Sequence, residues 1–363
     1  MWSSTSRTTR PYGVRACASP LSAPLPSSPL HHVRAARMLF IVGRGRSGTT
    51  LLSRMLDGHP RIAVAPEALF VMNLRPRYGQ GRWSAARGEA FFRDLLRERR
   101  LTAWNLDRAA LRNEILEASG AGGDFATLCK LVYACYGARH GKRDTAWLGD
   151  KNPHYALFVP ALMEQFPEAR FVHIVRDYRD NILSYQGVRF DLNPTAALAG
   201  RWRSYNTRIL RARQRAPERF LRVRHEDLVK EPERELRRLC AFLDVHYDEA
   251  MLRFQERVQG WAEPWHRNLQ GPLNPGLLEQ WRTRMPSQDQ AVADAICGTL
   301  GASWGYLPNT ASPHHLRVRD RAGVALGWLN TAAEQALFRL PLPWRSAVIT
   351  GYRALTGSLP SSS

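Results

Sequence analysis

Short apolar runs separated by longer mixed segments organise most of this chain. Residues 39–43, 146–149, 170–175 and 220–223 read as buried strands, and residues 62–64 add a shorter strand-like run. Each is followed by a segment with helical spacing. Residues 49–57 place Leu51, Leu52, Met55 and Leu56 on one face, and Gly58 and Pro60 then stop the helix. Further helices are expected over roughly 154–165, from about Arg179, and from near Pro232. The last carries Glu231, Glu233 and Glu235 at its positive end and a stripe of Leu236, Leu239, Cys240 and Leu243. Strand–helix alternation at this spacing predicts a parallel sheet covered on both faces. Residues 71–145 interrupt it with a mostly helical insertion on the acceptor side.

Both ends depart from the pattern. Residues 1–37 hold seven Ser, five Pro, five Arg and no acid, too polar for a core, and are expected to be disordered. They read as a transit-like peptide, a flexible tail, or an extension ahead of a true start at Met38, and the last is preferred because Met38 opens the first strand. Residues 311–363 mix Val324, Leu326, Trp328, Leu329, Leu337, Phe338, Leu340 and Trp344 with arginines. They are expected to form a C-terminal helical extension that packs on the body. The alternative is a surface helix in peripheral contact with a membrane or a second copy in a homodimer.

The sequence carries a formal charge of +20, but only four of its 52 basic residues are lysines: Lys130, Lys142, Lys151 and Lys230. The arginines are spread along the chain. This reads as a preference for anionic ligands rather than specific nucleic-acid binding. Five cysteines without a C-x-x-C pair argue against a disulfide framework or a zinc site, and no apolar run reaches about 18 residues. The expected location is the cytoplasm.

The candidate chemistry begins at GRGRSGTT, residues 43–50. Gly43 and Gly48 have the Walker A spacing and Thr50 stands for its final Ser/Thr, but Thr49 replaces the lysine that reaches the β/γ phosphates. The strand–turn–helix still offers backbone N–H groups to a dianion, and Arg46 supplies a guanidinium from within the turn. Such a loop suits a nucleotide with a compact charged 5′ group and no Mg²⁺. Three further segments fit one site. Lys151 ends a strand in GDKNPHY, the edge at which open α/β sheets bind ligands. In IVRDYRDNILSYQ, Arg176 follows a strand and Ser184 lies eight residues on, so both can face a second phosphate, or Arg176 can pair with Asp177 or Asp180. Glu67 in APEALF is a candidate general base or a first-turn helix charge.

Together these segments resemble the sulfotransferases that use 3′-phosphoadenosine 5′-phosphosulfate (PAPS) and release the 3′,5′-bisphosphate PAP. RSGTT followed by LDGHP is similar to the protein-tyrosine sulfotransferases and their bacterial relatives. LRVRHEDLVKEPERELRRLCAFLDV (221–245) is similar to the family's strand–acid–helix segment, and NPGLLEQWRTRMP (274–286) to its stretch near the cofactor. The resemblance covers about residues 38–310 as one sulfotransferase domain. It implies a P-loop NTPase-like three-layer α/β fold. It implies that Arg46, Ser47, Gly48, Thr49 and Thr50 hold the 5′-phosphosulfate, and that Arg176 and Ser184 hold the 3′-phosphate. Lys151 then contacts the sulfuryl group or bridging oxygen, and Glu67 is the base. His225 stands where relatives often carry a tyrosine beside the adenine, and His154, three residues after Lys151, is the second candidate base. No metal is required. The acceptor is a hydroxyl on a sugar, a lipid, a small molecule or a peptide tyrosine. Two alternatives remain at this point: an atypical P-loop kinase, and a non-catalytic nucleotide- or polyanion-binding protein.

Overall fold

The computed structural model describes residues 33–188, 191–257, 271–309, 315–338 and 340. Its centre is a five-stranded sheet of β1 (Arg37–Val42), β2 (Ile62–Ala65), β3 (Trp147–Lys151), β4 (Arg170–Val175) and β5 (Phe220–Arg224) in the order β2-β3-β1-β4-β5. All four strand pairings are parallel. β1 shows why its run is apolar throughout. Met38, Phe40 and Val42 enter one core cluster, and Leu39 and Ile41 enter another on the opposite face. A strand buried on both faces has no polar alternation to display.

Helices supply the two outer layers. α1 (Thr49–Gly58) follows β1, and α2 (Phe70–Tyr78), α3 (Ala85–Leu95), α4 (Arg108–Gly120) and α5 (Phe125–Arg139) form the insertion between β2 and β3. The expected helix after β3 is split. A 3₁₀ turn over Pro153–Leu157 precedes α6 (Val159–Gln165), with Pro160 in the first turn and Phe158 outside helical geometry. α7 (Tyr178–Gln186) follows β4, and α8 (Thr195–Arg215) runs for 21 residues. Sequence analysis assigned no element there, although Leu198, Trp202, Tyr205, Ile209 and Ala212 fall at helical spacing and are buried. α9 (His225–Lys230), α10 (Pro232–Leu243), α11 (Trp281–Arg284), α12 (Ser287–Ala302) and α13 (Val318–Leu337) complete the set.

The expected boundary at residue 37 needs a correction. Val33 and Ala36 are 4% and 5% exposed within the core, and Arg37 pairs with Trp147 as the first residue of β1. The apolar residues just ahead of the strand therefore belong to the folded body, while residues 1–32 lie outside the described residues. At the other end α13 packs along α8. Gly327 permits this, because a Cβ there would lie 2.3 Å from the carbonyl oxygen of Ala197. Leu326, Trp328 and Leu329 remain on the outer side, and Trp344 lies outside the described residues. Among the described residues no helix is long and apolar enough to cross a membrane. Cys129, Cys135, Cys240 and Cys297 are free thiols, and Cys17 lies outside the described residues.

Candidate active site

β1 is flanked by β3 on one side and β4 on the other; the chain fills the β2–β3 side first and then crosses from β3 over β1 to β4. That makes the carboxyl end of β1 the crevice of the sheet. The loop 43–48 fills this position and passes into α1. Two positive-φ residues on either side of Ser47 shape it: Arg46 has φ 63° and Gly48 has φ 90°. A non-glycine residue there costs roughly 1–2 kcal/mol. Gly48 is also packed closely, because a Cβ would lie 2.4 Å from Nδ1 of His225.

Side chains from elsewhere brace the loop. Asn181 Nδ2 donates to the Gly45 carbonyl at 2.8 Å and to Ser47 Oγ at 3.1 Å. Arg44 is buried, ion-paired to Asp191, with its guanidinium 4.1 Å from the centre of the Tyr185 ring. Arg46 Nε donates to Ser184 Oγ at 3.0 Å, and Arg176 Nη1 donates to the Arg46 carbonyl at 3.4 Å. Among the described residues no carboxylate pairs with Arg46. Burial and the neighbouring Arg176 both lower its pKa from the ordinary value, against an opposing effect of Tyr185.

These residues open onto a cleft of about 310 Å³. Arg46, Gly48, Thr49, Thr50, Arg176, Ser184 and His225 line it, with Asn274, Leu278 and Arg284 from the 274–286 tract. Arg176 Nε and His225 Nδ1 are buried without hydrogen-bond partners. Burial, then the nearby Arg176, push the imidazole pKa of His225 down to about 3, so it is neutral. Asp180 is 3.7 Å from Arg176 and accepts the backbone N–H groups of Glu279 and Trp281 at 2.9 and 3.0 Å, tying the 274–286 tract to α7.

A second cluster adjoins the first at Thr50. Lys151, 4% exposed at the end of β3, donates from Nζ to Thr50 Oγ1 at 3.2 Å and forms an ion pair with Glu67. Arg100 Nη1 holds the other Glu67 oxygen at 2.9 Å. Burial opposes ionisation of Glu67, but Lys151 and Arg100 overcome it and hold the carboxyl at about 2. Beneath Lys151, Asp150 accepts from the Tyr133 hydroxyl, and burial pushes its carboxyl up to about 7.

The structure therefore brings Arg46, Ser47, Gly48, Thr49, Thr50, Arg176, Ser184 and His225 around one loop and cleft, and joins Lys151 and Glu67 to it through Thr50. His154 is held apart, its Nδ1 on Glu334 of α13. Of the insertion's arginines, Arg75 and Arg77 pair with Glu164 and Asp94, and Arg87 donates to backbone carbonyls. Sequence analysis missed Asn181, Arg44, Arg100 and Glu334. Asn181 carried a signal, because it precedes Ser184 by one helical turn in the same motif.

The family model described as "Sulfotransferase family" matches residues 39–249. Protein-tyrosine sulfotransferase 1 of Danio rerio is 26% identical over 304 residues, covering 80% of this chain and 78% of that protein. Protein-tyrosine sulfotransferase 1 of Homo sapiens is 26% identical over 293 residues, covering 76% of this chain and 72% of that protein. Among solved structures, the sulfotransferase domain from the curacin biosynthetic pathway shares the fold, with a TM-score of 0.52, 22% identity, and coverage of 75% of this chain and 99% of that one. With more than half of its length inside the family match, the chain belongs to the sulfotransferase family and is a sulfotransferase enzyme.

Proposed function

We propose that this enzyme moves the sulfuryl group of PAPS to an acceptor hydroxyl, with PAP as the other product. The observation that carries the reading is the pairing of two features at one loop. A guanidinium pair without a carboxylate on Arg46 faces the cleft, and the Lys151 ammonium sits on the Thr50 hydroxyl. In a nucleoside-triphosphate enzyme that hydroxyl holds Mg²⁺. A fixed ammonium there competes with a divalent cation and favours an anion that arrives without one. This weighs against a P-loop kinase.

The cleft fits the donor chemically. The buried, partnerless Arg176 Nε and the Ser184 hydroxyl suit a 3′-phosphate, and the Arg46 side chain with the 47–50 backbone suits the 5′ end. The neutral His225, Leu278 and Asn274 offer one aromatic, one apolar and one amide surface for a base. When bound, PAPS supplies a sulfuryl group on a good leaving phosphate. Arg46 and Lys151 place fixed positive charge where negative charge grows. Glu67 takes the acceptor proton. Its pairing with Lys151 holds its basicity down, and an anionic donor that draws the ammonium away releases the carboxylate for that task. The relatives' activity makes a peptide tyrosine the first acceptor class to test, with sugar, lipid and small-molecule hydroxyls after it.

The test is transfer of labelled sulfur from PAPS to a panel of tyrosine peptides and small hydroxyl acceptors, in metal-free buffer, with Lys151→Ala beside the wild type. Label in an acceptor with the wild type alone supports the proposal. Transfer that persists in Lys151→Ala, or that needs Mg²⁺, contradicts it.

A further inference from the structure

We infer that Glu334 on α13, beyond the family-matched segment, is a positioning residue for the acceptor side of the site, acting through His154. The inference rests on the sulfuryl-transfer reading above.

His154 begins at the same strand edge as Lys151. After β3 the chain turns at once, and Asn152 Oδ1 accepts the His154 backbone N–H at 3.1 Å to start the 3₁₀ turn. The imidazole stays partly open, with its side chain 39% exposed, three residues beyond Lys151. The sulfuryl-transfer reading puts the acceptor at this strand edge, so a partly open ring just past Lys151 is placed to meet it. Its orientation is set from α13. Glu334 pairs with Nδ1 and so tethers the ring to α13 through that nitrogen.

The last turn of α13 grips this 3₁₀ turn at two further points. Gln335 Nε2 donates to the Leu157 carbonyl at 3.1 Å, and the Phe338 ring lies 5.1 Å from that of Phe158 and 5.9 Å from His154. Glu334 itself is firmly fixed. It accepts from Arg201 Nη2 and from the Tyr205 hydroxyl, each at 2.7 Å. Arg201 continues to Asp191 at 3.3 Å, and Asp191 pairs with Arg44 of the phosphate loop. One carboxylate on a C-terminal helix therefore lies on a chain of ionic contacts from the phosphate loop to the acceptor mouth. Burial opposes its ionisation, but His154 and Arg201 hold the carboxyl well below the usual range.

Glu334→Gln keeps the side chain's size and one acceptor oxygen while removing the charge. The experiment measures acceptor kcat/KM and PAP affinity for wild type, Glu334→Gln, His154→Ala and the double variant. Leu329→Ala, on the outer face of α13, controls for general loosening of the helix. The expected result is a loss of about tenfold or more in acceptor kcat/KM for Glu334→Gln. PAP affinity stays within about threefold, and the Glu334 effect shrinks below about twofold once His154 is alanine. Equal losses in both backgrounds, or unchanged kinetics with only a lower melting temperature, overturn the inference. A wild type that does not bind PAP overturns the sulfuryl-transfer reading first, and this inference with it.

Discussion

Replacing Lys151 with alanine separates charge stabilisation from donor binding. The Lys151 side chain is 5% exposed, and its ammonium contacts Thr50 Oγ1 at 3.2 Å and Glu67. Its removal takes away one of two cations aimed at the reacting group. Loss of one such preorganised donor costs about 10²–10³ in turnover, or roughly 3–4 kcal/mol of transition-state stabilisation. The stability cost is smaller, because Glu67 keeps Arg100 at 2.9 Å and its side chain is 31% exposed. That screening leaves about 1 kcal/mol. The Glu67 carboxyl then rises from about 2 toward its ordinary value. Lys151 touches Thr50 of the 5′-phosphate loop but none of the residues assigned to the 3′-phosphate, so PAP affinity should fall by less than about tenfold, far less than turnover. Single-turnover transfer at saturating PAPS, beside calorimetric titration with PAP, reads the two effects separately. Turnover within about threefold of wild type would refute the assignment. So would a PAP affinity that falls in step with turnover.

The remaining predictions concern the loop and the buried carboxylates. Arg176→Ala should weaken PAP by about 10²-fold while leaving adenosine 5′-monophosphate nearly unaffected, as paired titrations would show. Gly48→Ala forces a side chain into φ 90° with its Cβ 2.4 Å from His225, and should cost about 1–3 kcal/mol in denaturant unfolding together with most PAP binding. Glu67, depressed to about 2, contributes stability above its unfolded pKa that is lost as pH falls toward 2, so an acid limb between about pH 5 and 8 belongs to another group. Asp150 has the opposite sign. Raised to about 7, it binds more protons folded than unfolded, so stability falls as pH rises from its unfolded value through 7, and Asp150→Asn should flatten that decline in melting temperature.

The sheet was legible because its strands are buried on both faces and read as continuous apolar runs. The loop was legible because a phosphate cradle needs glycine where φ is positive or backbone passes close by, and Gly48 meets both needs. Arg46 stood out because it lies inside the Gly-rich turn, and Arg176 because it follows a strand with Ser184 eight residues on. The elements that escaped depend on long-range pairing. Arg100 reaches Glu67 from the insertion, and Asp191 meets Arg44 across 147 positions. No local spacing encodes such contacts. α8 was overlooked although its periodicity was clear, and α13 looked like an appendage because the partner for Glu334 lies 180 residues earlier, at His154. The boundary at residue 37 failed for a simpler reason. Two small apolar residues, Val33 and Ala36, are enough to extend the core ahead of the first strand.

The most direct test is calorimetric titration with PAP in metal-free buffer, set against ATP with Mg²⁺ and adenosine 5′-monophosphate. The account predicts micromolar PAP binding without metal, and much weaker binding of the monophosphate that lacks the 3′ group. A preference for ATP with Mg²⁺, or equal affinity for PAP and the monophosphate, would contradict the reading of the loop and of Arg176.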